Sequence, residues 1–480
     1  MLRAFSLLSV WILSVAIAPS FLIGAEREEA DPAYYHEGEL AGSLRSEGPL
    51  AVYDADPGHL WNRLFSSFWI RKSHLPSKRG KEPIDRIEGG DTLDFLAWAG
   101  TTYWDEPETV SRVENLLDEF LTTEGEKLIA DPLKRVMLQR DLWSPFDFLM
   151  NQNIARRGDS ETRRKRTELC EKLARVMKRV ALTREELAQL PNNYELALKS
   201  GRFDATHEYD PGRDYLPVNL LTDADEWQEL DFHRIKLSGD TETRFVFLHT
   251  LEYRGRSYFR VFYRFPEGRK QLEEYLKQVD ESGVNWKDSA QIGFIKLDEK
   301  KTPQIPVGTE VALLQFLMAL DQDLQPVPTS IVEAVRVTVY KNVDGTRDTT
   351  TNTNQGFNVG KYTLKRRLAF DGMRFGGLHR EPDDFPAYRI IFESRSTVDW
   401  GPRGRFFSLS AECRACHSDR GQVGVHSIPS LVNSASVDTG AQLGVVHTLP
   451  QGSPSPHPAR TVKWKQADES YRRLVEFFEE

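Results

Sequence analysis

Val335-Arg336-Val337-Thr338-Val339-Tyr340 alternates apolar and polar side chains, with Tyr340 closing the series. A period of two is the mark of a half-buried strand. The neighbouring stretches agree with it. Arg244 to Leu251 and Ser257 to Phe265 are rich in β-branched and aromatic residues, and Arg254-Gly255-Arg256 between them predicts a hairpin turn. Val311 to Leu320 is an apolar run whose type periodicity does not settle. Tyr362 to Phe370, Tyr388 to Phe392 and Arg405 to Leu409 are further strand candidates, and a polar loop runs from Asp344-Gly345 to Gln355. One amphipathic helix, Lys270 to Val279, interrupts the series.

Toward the N-terminus the period changes. Val113, Leu116, Leu117, Phe120 and Leu121 fall on one helical face, as do Leu169, Leu173, Val176, Met177 and Val180. Cys170 sits at the edge of the second stripe and reads as a small core residue. Asp131-Pro132 predicts a cap followed by Pro in the first turn, with Pro145 bending or ending that helix. Thr183 with Glu186 predicts a capping box, and Pro191-Asn192-Asn193 stops the short helix it opens. The basic run from Arg156 to Arg166 reads as a solvated loop and helix face.

The chain is therefore expected to be α+β. An irregular lead-in over residues 26–57 opens into a mainly helical domain, 34–222, followed by a β-rich domain, 223–405. A loop-rich segment, 406–480, ends in a short helix with Tyr471, Leu474, Val475 and Phe478 on one side. With 480 residues, 39% hydrophobic and 28% charged, the chain is long enough for two or three domains. A net charge of −9 supplies no broad basic face, so nucleic acid is not an expected partner.

The N-terminus predicts an export signal. Met1-Leu2-Arg3 gives a positive start, Ala4 to Ala25 carries no charge, and Glu26-Arg27-Glu28-Glu29 ends the run. Cleavage near Ala25 makes residues 1–25 a signal peptide; left uncut, the run is just long enough to anchor the protein in a membrane. The expected location is periplasmic or secreted.

Three cysteines, Cys170, Cys413 and Cys416, are too few for a disulfide framework. Two of them stand in Cys413-Arg414-Ala415-Cys416-His417. On one helical turn the two thiols and the imidazole share a face. The thiols then reach the two vinyl groups of a haem and the imidazole lies over its iron. A disulfide between Cys413 and Cys416, or zinc held with His417 or His426, are the alternatives. The distal ligand is open. No Met follows Met373, so His/Met ligation with a downstream Met is absent. Of the downstream histidines His426, His447 and His457, His426 is the first candidate. The nine residues from His417 to it reach roughly 30 Å when extended, and Gly421 and Gly424 ease the turn. Met373 and His379 come second, and an open sixth position is the third possibility.

Residues 413–417 resemble the haem-attachment motif of the c-type cytochromes, which implies one covalent haem c, iron, electron transfer and a redox partner protein. The wider layout resembles exported bacterial multidomain proteins of planctomycete type that end in a single such motif. A weaker likeness is to the β-rich, lysine-crosslinked haem enzymes of ammonia and hydroxylamine oxidation. It implies a crosslinking role for Lys361 or Lys365, which on their own residues read as surface lysines of a strand. Acidic residues at 223–230 and Asp383-Asp384 are weak cation candidates. There is no nucleophile elbow, phosphate loop, dinucleotide fingerprint or His-Glu-x-x-His motif.

Three functions are compatible with these residues. One is a periplasmic electron carrier. Another is a haem enzyme or small-ligand sensor with an open iron, acting on peroxide, nitric oxide or hydroxylamine. The third is a partner-binding protein whose CxxC/His site is structural.

Overall fold

The computed structural model describes residues 51–69, 71–75, 84–88, 107–204, 214–222, 226–232, 249–250, 253–281, 303–341, 347–348, 353–354, 357–380, 386–388, 406–408 and 446–479. The fold is α+β. Helices α1 (Leu60–Trp69), α2 (Pro107–Thr122), α3 (Pro132–Ile154), α4 (Ser160–Val180), α5 (Arg184–Ala188) and α6 (Asn193–Lys199) come first. A seven-stranded antiparallel sheet follows: β1 (Gln228–Phe232), β2 (Ser257–Arg264), β3 (Glu310–Leu320), β4 (Pro326–Tyr340), β5 (Phe357–Leu364), β6 (Leu378–Arg380) and β7 (Val446–Thr448). The first six strands lie side by side in chain order. The last, β7, returns to pair with β1 at the far edge. Three more helices belong to this half: α7 (Arg269–Glu281), and α9 (His457–Ala467) and α10 (Glu469–Glu476) at the C-terminus, with the short α8 (Arg366–Phe370) after β5.

The helical stripes bury as their spacing predicts. Val113, Leu116, Leu117 and Phe120 of α2 and Leu169, Leu173, Val176, Met177 and Val180 of α4 are all in the core. The Asp131 carboxylate accepts from the Leu133 and Lys134 amides and caps α3. Thr183 and Glu186 form the reciprocal capping box. Asn192 both follows the end of α5 and caps α6. Pro145 does not end α3, which continues to Ile154. Its ring removes one backbone hydrogen bond; burial of Trp143, Phe146, Leu149 and Met150 around it holds the helix together.

The sheet departs from the sequence reading in three places. Val335 to Tyr340 is not half-buried, because both faces of β4 are covered. Val335 and Val339 share a face with Tyr362 and Glu310, and Tyr215 covers that face. The opposite face carries Gln315 and Ser257 and meets α3. Tyr362 to Phe370 divides into the end of β5 and helix α8. Residues 244–248 and 251 of the upstream strand candidate lie outside the described residues, but His249 and Thr250 are helical, and Arg254 and Gly255, two left-handed residues (φ 53° and 67°), lead into β2. Consecutive positive φ angles close helix ends as well as hairpins. The apolar run at 311–320 is resolved as β3, buried along nearly its whole length.

Apolar residues from the helical half, the sheet and the C-terminal helices pack into one continuous interior. Asn193 joins two of these parts. Its side chain bonds both the amide and the carbonyl of Val332 (2.7 and 3.0 Å) and the carbonyl of Gly376 (2.9 Å). Gly376 has φ +65°, and a Cβ there would lie 2.1 Å from the Asn193 carbonyl oxygen, so only glycine fits.

Candidate functional site

Cys413, Cys416, His417 and His426 lie outside the described residues, as do Asp383 and Asp384. Upstream of Cys413, Phe406–Ser408 pairs with Pro386–Tyr388 in a separate two-stranded sheet; downstream, β7 pairs with β1 in the main sheet.

The remaining candidates from the sequence are described. Cys170 is fully buried in α4, and burial followed by the nearby Asp147 charge pushes its thiol well above the ordinary range. It is a core residue, in agreement with its place on the stripe. Met373 is buried in the turn after α8, and His379 is half-buried on β6 opposite Thr363. Lys361 and Lys365 are not surface lysines. Both are buried; Lys361 stands opposite Arg336 between β5 and β4, and Lys365 precedes α8 at its N-terminus. The acidic residues near 223–230 that are described are tied to arginines. Glu226 pairs with Arg264 (3.2 Å), and Glu229 takes both ends of Arg260 (3.1 and 2.6 Å). The basic run of 156–166 is likewise engaged: Arg164 pairs with Glu161 and Glu168, and Arg166 donates to the Arg157 carbonyl. Among the described residues, no group of three or more His, Cys, Asp or Glu could hold a metal, and no helix is long and apolar enough to cross a membrane.

One polar assembly escaped the sequence reading: a row of buried charges along α3. At the centre, Arg140 donates to Glu333 (2.9 Å), Ser144 (2.8 Å) and Ser257 (3.2 Å). Glu333 also accepts from Gln315 (3.0 Å) and from Ser257. A β-bulge aims it there. Val332 pairs with Phe316 and Ala334 with Gln315, which leaves Glu333 as the extra residue of β4. One residue on, Asp141 accepts a forked pair from Arg366 and the Tyr53 hydroxyl at 2.5 Å. Arg366 lies over the rings of Phe65 (4.8 Å) and Trp69 (5.6 Å). Two turns on, Asp147 accepts from Arg256 (2.5 Å), Lys465 (2.9 and 3.1 Å) and Ser470 (2.9 Å).

The two aspartates differ in their titration. Burial pushes both carboxyls up. At Asp141 burial prevails over the pull of Arg366. At Asp147 Lys465 and Arg256 together outweigh it and hold the group below its ordinary range. Burial also lowers Arg256 to about 10, against the pull of Asp147. Every one of these groups has a partner within the assembly. It is a device for positioning: α3 binds β4 and α8 through adjacent residues, and both C-terminal helices about two turns further on.

A second polar cluster lies where the C-terminal segment meets β1. Thr448 and the Leu449 carbonyl accept from Arg269 of α7 (both 2.9 Å). Ser455 donates to Glu229 (2.6 Å), and Arg460 forks onto Asp231. His457, 2% exposed, bonds the Leu230 carbonyl through Nε2 at 2.9 Å, with Glu229 3.9 Å away. His447 on β7 stands 3.9 Å from Asp231. A histidine so committed to the backbone is a fastening of the C-terminal segment.

No family model, curated protein or solved structure matches the chain.

Proposed function

We propose that the chain is an exported c-type haem protein that transfers electrons in the periplasm, with one haem attached at Cys413 and Cys416. The observation that carries this is the motif itself: two of three cysteines and a histidine in the order Cys-x-x-Cys-His, in a chain that opens with an export-signal pattern. The donor set fits the group, since two thiols form thioethers and His417 supplies the proximal nitrogen. Cys170 is sealed in the helical core, so it does not compete as a partner for either thiol. A bound haem supplies a one-electron iron couple, which the protein tunes through the second axial ligand and burial. His426 is the proposed distal ligand, and a redox protein is the proposed partner. Replacing both Cys413 and Cys416 with Ala, in protein made alongside a cytochrome c maturation system, should abolish a covalent haem stain and the visible spectrum. A wild-type chain without covalent haem in that system sinks the proposal.

A second reading follows from the absence of Met after Met373. With no distal side chain, the iron is open and the chemistry is that of a peroxide, nitric oxide or hydroxylamine enzyme or sensor. Replacing His426 with Ala separates the two. A change from a six-coordinate low-spin to a high-spin spectrum supports the electron carrier; an unchanged high-spin spectrum supports the open site.

A further inference from the structure

We infer that the C-terminal segment, Val446 to Glu479, is an acid-released clasp whose trigger is the buried imidazole of His457. The segment closes the fold late in the chain. It adds β7 to the sheet edge, fastens to β1 through Ser455, His457 and Arg460, and inserts Lys465 beside Asp147 of α3. It also forms the downstream anchor of the stretch that holds Cys413 to His417. The inference uses no property of the haem; its physiological meaning rests on the export reading, because an exported protein meets the pH of its surroundings.

The geometry makes a charged His457 unwelcome. The ring is 2% exposed, and it occupies the first position of an eleven-residue helix, whose N-terminal amides disfavour a cation. Glu229 and Asp231 of β1 and Arg460 of its own helix act on the ring, and Arg260 of β2 and His447 of β7 stand against those two carboxylates. The two carboxylates attract a proton to the ring, but each is already taken by an arginine: Glu229 by Arg260 and Asp231 by Arg460. Burial therefore prevails, and His457 titrates below its ordinary 6.5 despite the pull of Glu229, the Leu230 carbonyl and Asp231.

The sign follows from linkage. The undocked imidazole binds a proton at its ordinary value and the docked one only at a lower pH. Docking is therefore at full strength above about 6.5 and weakens as pH falls below it. Between pH 7.5 and 5.5 a single such histidine can raise the undocked fraction by up to about ten-fold.

Hydrogen-exchange mass spectrometry on the full-length protein, corrected for intrinsic exchange, tests this at pH 7.5 and 5.5. Amides of His457 to Glu476 should lose protection by two- to about ten-fold at the lower pH, while those of α3 do not change. In His457→Gln, whose amide can still donate to the Leu230 carbonyl, the pH effect should vanish. Equal protection at both pH values in the wild type, or a loss that persists in His457→Gln, overturns the inference. If that variant does not fold, the wild-type imidazole titration followed by NMR decides: a midpoint below 6.5 supports the clasp, and one at or above it refutes it.

Discussion

Helices α3 and α4 are neighbours of similar length, both rich in ion pairs, yet the pairs differ in kind. On α4 the charges face water, the buried Arg166 excepted. Arg164 with Glu161 and Glu168, and Arg175 with Glu171, join residues three or four apart on the same turn, with side chains roughly half exposed. On α3 the charges face inward. Arg140, Asp141 and Asp147 are each about 1% exposed and reach partners in other parts of the chain: Glu333, Arg366, Arg256 and Lys465. Water and salt screen the first kind, which is worth about 0–1 kcal/mol per pair. The second kind has given up its hydration. Removing one partner strands a charge at a cost of about 3–5 kcal/mol, although the intact pair is worth little against an apolar replacement. Burial thus turns the same chemical pairing from a decoration into a positional constraint.

Mutations can break that contrast in order of size. Asp147→Ala should be the most damaging, lowering the unfolding free energy by about 3–5 kcal/mol, because it strands Arg256 and leaves the buried Lys465 with Asp468 alone. Urea denaturation reads this directly, and a loss under 1 kcal/mol would remove Asp147 from its proposed role. Asn193→Ala tests a neutral counterpart. It leaves the Val332 backbone groups and the Gly376 carbonyl without their side-chain partner, for an expected loss of about 2 kcal/mol by the same measurement. Replacing Arg140 with Met and Glu333 with Leu together should cost less than either single change, since no charge is then left behind. A double-mutant cycle supplies the comparison. Arg164→Ala on α4 should shift stability by less than about 1 kcal/mol.

Acid sharpens the contrast between the two buried aspartates. The Asp147 carboxyl is held below its ordinary value, so its contribution is complete above about pH 4 and is lost as pH falls through the lower folded value. Asp141 is pushed the other way, so the folded chain holds its proton to higher pH and stability falls as pH rises through that folded value. Stability curves from pH 2 to 6 should therefore lose their steepest acid limb in Asp147→Asn and keep it in Asp141→Asn.

Much of the architecture was legible because it is local. The stripes of α2 and α4, the Asp131 cap and the Thr183–Glu186 box each lie within a few residues, and each stands as read. The alternation at Val335 to Tyr340 correctly gave a strand. It could not reveal that helices and loops cover both faces, since alternation records side-chain polarity and not what packs on it. The same limit explains why Lys361 and Lys365 read as surface residues. Arg254-Gly255 carried a true backbone signal, two left-handed residues, whose tertiary use differed from the one expected.

For function, the division is sharper. The Cys-x-x-Cys-His motif is a statement about five consecutive residues, so sequence alone suffices to propose a haem there. The polar spine of α3 was invisible for the opposite reason. Arg140 and Glu333 are 193 residues apart, Asp141 and Arg366 225, and Asp147 and Lys465 318. No local pattern predicts that charges so distant will meet. Even Glu333 needed a bulge to turn its carboxylate toward α3. Sequence by itself determined the α+β class, the helix caps and the motif, because these depend on spacing along the chain. Tertiary structure alone decided which charges are buried, which histidine fastens the C-terminus and which lysines leave the surface. Those outcomes depend on what the folded chain excludes water from, and desolvation is a property of the assembled interior.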